Sequence, residues 1–593
     1  MGNRKTALLL SSWKIARAYW FSEEKWSAWG LLVTVITLNL GIVYILVLLN
    51  LWQVNFYEVI QSYNYEGFIQ AIGQYSLLAA CLVVVRGYQI YARMMLHIRW
   101  RRWMTERYLS DWLWNKTYYL LNISVGHDTD NPDQRISEDV ELFVWLTLRL
   151  SLDLLQDIVT VLSFVSILWN LSGVLYVPIG SYNFPIYGYL VWAAIIYAGM
   201  GTYWTVKMGG PLVKMDFDQQ RYEADFRFSL MRLRENAESI ALYGGENQEK
   251  WNCREKFGEI IGNYLKIIVV RRKLTWLTTG YTQVSAIFAS LVAAPRYFSG
   301  HIHLGQMFQI VDAYHHVQTG FSFVVDSFTR IAHWRAVVNR LTHFLVSMEM
   351  VRTQPEILQQ LVVCKKNCKE YSIEDLSVFL PDHTPLVTEF SLSIHRAERL
   401  LIMGPSGCGK STLLRTFAGI WPYASGKMIV PEGQKIMFVP QKSYMPLASL
   451  NEIFQYPGLG KTVSNEELES IVVECKLGHF LDKLDIVTDW SQVLSLGEQQ
   501  RVAFVRVFLQ KPQWLFLDEA TSALDEQMEE KIYKRMIEKL PQTAIVSVGH
   551  RHTIMAYHQT RLQLDGIGSW TVSKISAEDS SQGGHGGRKK LHF

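Results

Sequence analysis

The sequence predicts a chain of two unlike halves: a membrane-spanning all-α half of six helices, then an α/β half built round a phosphate loop. Of the 593 residues, 49% are hydrophobic and 19% charged, which is apolar for a soluble enzyme. Six stretches in the first half are apolar and long enough to cross about 30 Å of hydrocarbon as helices. Beyond them, RLLIMGPSGCGKSTLLRTFAGI reads as an apolar strand, a glycine-rich turn and a helix start.

The length exceeds what one hydrophobic core supports, so at least two domains are expected. The formal net charge is only +4, and the basic residues fall in membrane-flanking loops rather than in one patch. No nucleic-acid partner is expected. The six cysteines are Cys81, Cys253, Cys364, Cys368, Cys408 and Cys475. They are scattered, and Cys364 and Cys368 have no second pair, so free thiols in a reducing compartment are expected.

Residues 1–28 form the first segment. Ser11–Trp26 mixes Lys14, Arg17, Glu23, Glu24 and Lys25 with aromatics. That pattern suits an amphipathic helix lying along the membrane surface, not a cleavable signal. The membrane domain, 29–345, places its spans near Trp29–Trp52, Phe68–Arg86, Phe143–Trp169, Ile186–Val206, Leu274–Tyr297 and Met307–Phe328. The loops after the second and fourth spans are rich in Arg and Lys, including Arg93, Arg99, Arg101, Arg102, Lys207, Lys214 and Arg221. The segments Gln53–Gly67 and Asn170–Pro185 contain neither. The bias puts both termini in the cytosol, as an even number of spans requires.

Polar residues within spans are costly in lipid and call for a reason. Arg149, Asp153 and Asp157 recur every four residues and share a helix face. Asp312 precedes His315 and His316 by three and four. These residues either pair within their helices or line a water-filled cavity. A zinc site at His315 and His316 is disfavoured, because adjacent helical residues point apart.

A polar linker, 346–370, leads to the second domain, 371–576; a tail, 577–593, has the composition of a disordered segment. Gly404, Pro405, Ser406, Gly407, Cys408, Gly409, Lys410 and Ser411 satisfy G-x-x-x-x-G-K-[ST], followed by Thr412. Backbone N–H groups of such a loop close round phosphate, Lys410 reaches its β/γ oxygens, and Ser411 can ligate Mg²⁺. Downstream, Asp518 ends the apolar run WLFL, placed to hold Mg²⁺, and Glu519 is placed to polarise an attacking water.

Between these motifs, LSLGEQQR resembles the LSGGQ signature of the ATP-binding-cassette (ABC) family, with Leu496 for its first glycine and Glu498 for its glutamine. The other landmarks follow in order: Gln441 in MFVPQKSY, SALD ending at Asp525, and His550 in VSVGHR. The resemblance implies a type IV exporter-like fold, with ATP and Mg²⁺ as cofactors. It gives catalytic roles to Glu519, His550 and Gln441, Gln441 also serving the metal, and gives Phe379 or an apolar neighbour the stacking on adenine. It places Ser495, Leu496, Gly497 and Glu498 on ATP held by the other subunit, hence a homodimer.

NPDQRISEDV (Asn131–Val140) and RYEADFRFSLMRLRENAESIALYGGE (Arg221–Glu246) resemble two related groups. One is the bacterial vitamin B12/bleomycin/antimicrobial-peptide permease–ATPase fusions, with an SbmA/BacA-like membrane domain. The other is the peroxisomal acyl-CoA half-transporters (subfamily D). LSLGEQQR and Trp490-Ser491 lean toward the bacterial group. The expectation is ATP-driven transport across a bacterial inner membrane, as uptake of a small hydrophilic solute such as cobalamin or a peptide, with a lipid-like acyl-CoA or fatty acid as the alternative. The polar loops after the second and fourth spans, including Asp139 and Glu246, are expected to rest on the ATPase surface.

Overall fold

The computed structural model describes residues 2–124, 131–179, 182–321, 323–353, 359–458, 463–566 and 568–575. The chain divides into two compact units: Met1–Asp111 with Asp130–Val346, and Trp112–Thr129 with Ser347–Phe593. The expected disordered tail lies outside the described residues.

In the first unit, helix α1 (Gly2–Trp20) ends in a turn where the Ser22 hydroxyl donates to the Tyr19 carbonyl, and α2 (Lys25–Gln61) follows. The surface helix expected over Ser11–Trp26 is therefore broken before its end. Helix α3 (Tyr65–Leu113) precedes α4 (Thr117–Ser124) and the single turn α5 (Pro132–Gln134). A π-helical stretch, Arg135–Asp139, leads into α6 (Val140–Ser172). The loop expected after the third span folds as an antiparallel hairpin, β1 (Val174–Ile179) and β2 (Tyr182–Tyr187). The long helices α7 (Tyr189–Glu235) and α9 (Glu246–Phe298) flank a short α8 (Ala237–Tyr243). The unit closes with α10 (Leu304–Phe321) and α11 (Phe323–Thr353), whose last residues belong to the second unit.

Four helical stretches among the described residues are long and apolar enough to cross a membrane: Lys25–Gln61, Tyr65–Ile123, Pro132–Ser172 and Glu246–Phe298. The expected fourth and sixth spans fall on α7 and α10–α11, which are helical but less apolar. Tyr, Trp and Gly interrupt the first of these; Gln309, Asp312, His315, His316 and Gln318 interrupt the second.

Helix α10 is central, packing on α2, α6, α7 and α9. The shared core includes Phe164, Leu168, Leu190, Ala194, Ala289, Ala293, Ala313 and Val317. Small residues let the backbones approach closely. A Cβ on Gly305 would stand 2.6 Å from the Val54 carbonyl oxygen, so α2 and α10 touch there without side chains between them. Arg296 of α9 reaches back to the end of α6, donating from Nη1 to the Leu171 carbonyl at 2.6 Å, which satisfies an orphan acceptor of that helix terminus. Asp139, expected on a polar loop, is buried in the π-helical stretch that leads into α6. Arg340 of α11 grips it with two bonds of 2.6 and 2.9 Å, and Arg135 adds a third contact. Burying a carboxylate costs too much unless it is paired in this way.

The second unit holds two main sheets. A six-stranded sheet runs β14-β13-β6-β12-β11-β8, parallel except for β14. Its strands are β6 (Arg399–Met403), β8 (Ile436–Val439), β11 (Trp514–Asp518), β12 (Ala544–Val548), β13 (Thr560–Leu564) and β14 (Trp570–Lys574). A four-stranded sheet runs β3-β7-β4-β5, from β3 (Gln359–Lys366), β4 (Glu370–Phe379), β5 (Pro385–His395) and β7 (Ala424–Pro431). A small pair joins β9 (Ala448–Ser449) to β10 (Val487–Thr488). The helices are α12 (Lys410–Phe417), α13 (Leu450–Gln455), α14 (Asn465–Glu474), α15 (Trp490–Val493), α16 (Leu496–Gln510) and α17 (Glu526–Lys539). Strands β11 and β12 read as unbroken apolar runs because helices cover both faces of a parallel sheet. With α11 reaching Thr353 and β3 starting at Gln359, the irregular connection is shorter than the linker expected over 346–370.

Within the second unit, α4 packs with the ATPase core. Asn115 and Lys116 adopt left-handed φ of 47° and 61° after α3, turning the chain. Lys116 Nζ then donates to the Ala418 carbonyl at 3.4 Å, just past α12, and Ile123 packs on the core that contains Leu413, Leu414 and Phe417.

Candidate nucleotide and cavity sites

The carboxyl ends of β6, β12 and β11, neighbours in the sheet, bring the ATPase motifs together. Residues 404–409 form the turn from β6 into α12. Gly407 and Gly409 take φ of +83° and +94°, open to glycine but strained for other residues. A Cβ on Gly409 would press on Leu386 at 3.1 Å, so the loop is held down from β5. Lys410 is buried, and its Nζ donates to the Gly404 and Pro405 carbonyls at 3.0 and 2.9 Å, lacing the loop to the helix start. Thr412 lies in the first turn of α12, and the buried Cys408 packs inside the loop.

Ser411 Oγ donates to Asp518 Oδ1 at 2.9 Å. Burial raises the Asp518 carboxyl above its ordinary range, while the Ser411 bond and the Lys410 and Arg415 charges pull it back. Glu519, next in chain, has a left-handed φ of 47°, a strain typical of functional positions. It receives Gln441 Nε2 at 3.0 Å on one oxygen and stands 3.2 Å from His550 Nε2 on the other. Gln441, Glu519 and His550 thus converge on one carboxylate. Ser411 and Asp518 present oxygen donors, and Gln441 donates through its nitrogen, which leaves its amide oxygen to accept. This oxygen set suits the hard Mg²⁺ ion, which would neutralise phosphate charge when bound.

The signature segment opens α16. Ser495 is its N-cap: its hydroxyl and backbone N–H both donate to Glu498 Oε2, at 2.8 and 3.0 Å, and the Glu498 N–H returns a bond to Ser495 Oγ. Burial works against ionising Glu498. The Ser495 bonds, His479 and Arg501 outweigh it and hold the carboxyl below its usual range. The glutamate that departs from the usual signature glutamine therefore completes a capping box. Leu496 is exposed, and a Cβ on Gly497 would meet the Ala523 carbonyl at 3.2 Å, so α16 lies close against the SALD turn.

Gln500, which the motif reading passed over, is buried at the centre of this arrangement. Its Nε2 reaches Ser522 Oγ at 3.1 Å and the Gln441 and Glu519 carbonyls at 3.4 and 3.5 Å, and its Oε1 accepts from the Ala523 N–H at 2.9 Å. The repeated glutamine of LSLGEQQR was its only sequence signal. Phe379, the candidate for adenine, is half-buried at the end of β4, bonded through its backbone to Tyr423 and the Trp421 indole.

In the membrane unit the polar residues fall into two clusters. Asp153 meets three guanidinium groups: Arg93 of α3 at 3.2 Å, Arg330 of α11 at 3.5 Å and Arg149 of its own helix at 3.6 Å. Beside them, Arg93, His97, Trp145 and Leu148 line a cavity of about 430 Å³. Asp157 lies one turn on, where its carbonyl would stand 3.4 Å from a Cβ on Gly320 of α10. In the second cluster the buried Asn50 of α2 donates to Asp312 at 2.7 Å, and His316 stands 3.8 Å from Asp312 with its ring stacked on Phe164. His315 is exposed, its ring 6.4 Å from that of His316. Arg330 and Asn50 escaped the sequence reading, and Arg93, expected on a loop, lies within α3, because their partners are remote in sequence.

A phosphate loop, a carboxylate poised beside it and a set of apolar helices on one chain define an ATP-driven membrane translocase. A model described as ABC transporter transmembrane region 2 matches residues 15–298, and one described as ABC transporter matches 387–522. ABC transporter D family member 2, chloroplastic, of Arabidopsis thaliana is 32% identical, over 96% of this chain and 89% of its own. An uncharacterized ABC transporter ATP-binding protein of Haemophilus influenzae is 34% identical, over 86% and 84%. Inner membrane ABC transporter ATP-binding protein YddA of Escherichia coli is 29% identical, over 91% and 94%. A solved bacterial Atm1-family ABC exporter with ATP bound shares the fold at a TM-score of 0.74 and 15% identity, over 96% of this chain and all of that one. The chain belongs to the ABC transporter family, as a membrane protein that couples ATP hydrolysis to transport.

Proposed function

We propose that two copies of this chain, each with six spans and cytosolic termini, form a homodimeric transporter of a bacterial inner membrane that takes up small hydrophilic solutes such as cobalamin or peptides. The observation that carries the ATPase assignment is the meeting of Gln441 and His550 on Glu519, beside Lys410 and the Ser411–Asp518 pair. In this reading Glu519 accepts the proton of the attacking water while Gln441 and His550 hold its two oxygens in place. Lys410 turns from the loop carbonyls to phosphate oxygens, while Ser495 turns its hydroxyl from Glu498, and Gly497 its N–H at the start of α16, to ATP on the partner subunit. One chain carries one phosphate loop and one signature, so each nucleotide needs both subunits. Phe379 is assigned to the adenine. The SbmA/BacA-like resemblance of the membrane half supports hydrophilic cargo, with the Asp153 and Asp312 clusters as its polar contacts.

A second reading, transport of a fatty acid or acyl-CoA, is favoured by one observation. Three arginines meet at Asp153 beside an apolar-walled cavity, and guanidinium groups next to an apolar wall suit an anionic amphiphile. ATPase stimulation in proteoliposomes separates the two, with Glu519→Gln as the blank. Stimulation by cobalamin and not by a long-chain acyl-CoA supports the first reading; the reverse pattern overturns it.

A further inference from the structure

A second cavity of the membrane unit, about 480 Å³, lies between α1, α2, α3 and α6; it shares Leu148 with the cavity beside Asp153 and contains none of the charged residues of either cluster. Its size falls within the range of about 300–1,000 Å³ common for small-molecule sites. Leu9, Trp13 and Ala16 of α1 form one wall, and Leu32 of α2 and Leu152 of α6 another. None of its lining residues is ionisable. The hydroxyls in the lining already donate within the protein: Ser12 to the Leu9 carbonyl and Ser151 to the Thr147 carbonyl. The Thr147 hydroxyl in turn accepts from the Trp334 indole.

One polar group in the lining stands apart. The Trp100 ring is 1% exposed, stacked on Tyr19 at 5.4 Å, and its indole N–H has no partner. A buried donor left unmade costs about 1–3 kcal/mol. A ligand that suits the cavity is therefore a long apolar body carrying one acceptor, with no charge to bury. A free carboxylate fails this test, since no cation lines the cavity to pair it. An acyl ester meets it.

The surroundings name the source of such an ester. Helices α2, α3 and α6 are among the stretches apolar enough to cross the membrane, and α1 carries exposed Leu9, Leu10 and Trp13 beside Lys14 and Arg17. Tryptophan and basic residues together mark the headgroup level of a bilayer. Arg99 adjoins Trp100 in sequence and reaches the Ser27 hydroxyl at the start of α2, placing a guanidinium where a lipid phosphate would sit. We infer that this cavity is a binding site for one acyl chain of a membrane glycerophospholipid, with its ester carbonyl on the Trp100 indole N–H, separate from the transported cargo.

The test uses the full-length protein in proteoliposomes containing a phosphatidylcholine with a mid-chain diazirine, photolysed and mapped by peptide mass spectrometry. Adducts are expected on α1 and α6, at probe fractions too low to label the exposed Leu77 and Val83 of α3. Ser151→Phe and Leu9→Trp, which fill the cavity from exposed positions, should each cut those adducts about tenfold. At high probe fraction, labelling of Leu77 and Val83 should stay unchanged in both, which reports intact insertion. Trp100→Phe, which keeps a ring and removes the N–H, should cut them several-fold. Undiminished adducts in both filling variants overturn the site. A diazirine fatty acid that displaces the phospholipid probe overturns the ester assignment and makes the cavity a cargo pocket.

Discussion

At Glu519 the backbone itself carries information. A non-glycine residue at φ 47° costs free energy, and here the cost sets one carboxylate between Gln441 and His550. Glu519→Gln keeps the shape and removes the base. ATP turnover should fall by about 10²–10⁴-fold, while binding of a fluorescent nucleotide stays within a few-fold of the wild type. Substantial residual hydrolysis would remove Glu519 from the role of general base. Asp153 sets a different kind of test. Its replacement by Ala leaves Arg93, Arg149 and Arg330 facing one another without the shared counter-charge. Transport should be impaired with basal ATPase spared; His315→Ala, exposed beside the other cluster, should do the same if that face lines the path. Normal transport in both variants would return these charges to a purely structural role.

The elements show how helix ends are put to use. Helix α16 starts with a reciprocal Ser495–Glu498 cap, and the same arrangement recurs in α13, where Ser449 and Glu452 exchange bonds. In α16 the cap shapes the segment assigned to the partner's nucleotide. Glu498→Ala should lower domain stability by about 1 kcal/mol, read as a drop in the denaturant midpoint, and should also slow ATP turnover. Glu498→Gln retains an acceptor for Ser495 and should recover most of both. If Gln behaves like Ala, the charge rather than the cap is what matters. Helix α4 makes a complementary point: two left-handed residues after α3 fold it against the end of α12, so a stretch far from the ATPase in sequence joins its core.

For the whole molecule, pH reaches stability through a buried histidine. His558 is enclosed between the Ile554 carbonyl and Ser547 Oγ, each at 2.8 Å, and burial depresses its pKa to about 4. The folded state therefore refuses a proton that the unfolded chain accepts near 6.5. Stability is full above that value and falls as the pH drops from about 6.5 toward 4, by on the order of 3 kcal/mol in total. Thermal melts across this range should steepen for the wild type relative to His558→Gln. Parallel curves would show that other groups govern the acid limb.

Local patterns carried most of the ATPase site. The phosphate loop, the apolar run ending at Asp518, and the residues Gln441 and His550 lie in contiguous words whose chemistry depends on neighbours in the chain, and the fold brings them to one sheet edge, while Ser495 caps α16. The membrane helices were legible for a similar reason, since hydrocarbon thickness sets their length and apolarity. Where a span must also be polar, as in α10, composition alone weakens as a signal. The pairing of distant residues could not be read in this way. Arg93 and Arg330 meet Asp153 across three helices, Gln500 joins three loops, Asp139 sinks between two arginines, and Trp100 leaves its N–H facing no partner. Sequence spacing specifies which face of a helix a residue occupies; only packing decides what stands opposite that face, because the partner comes from elsewhere in the chain.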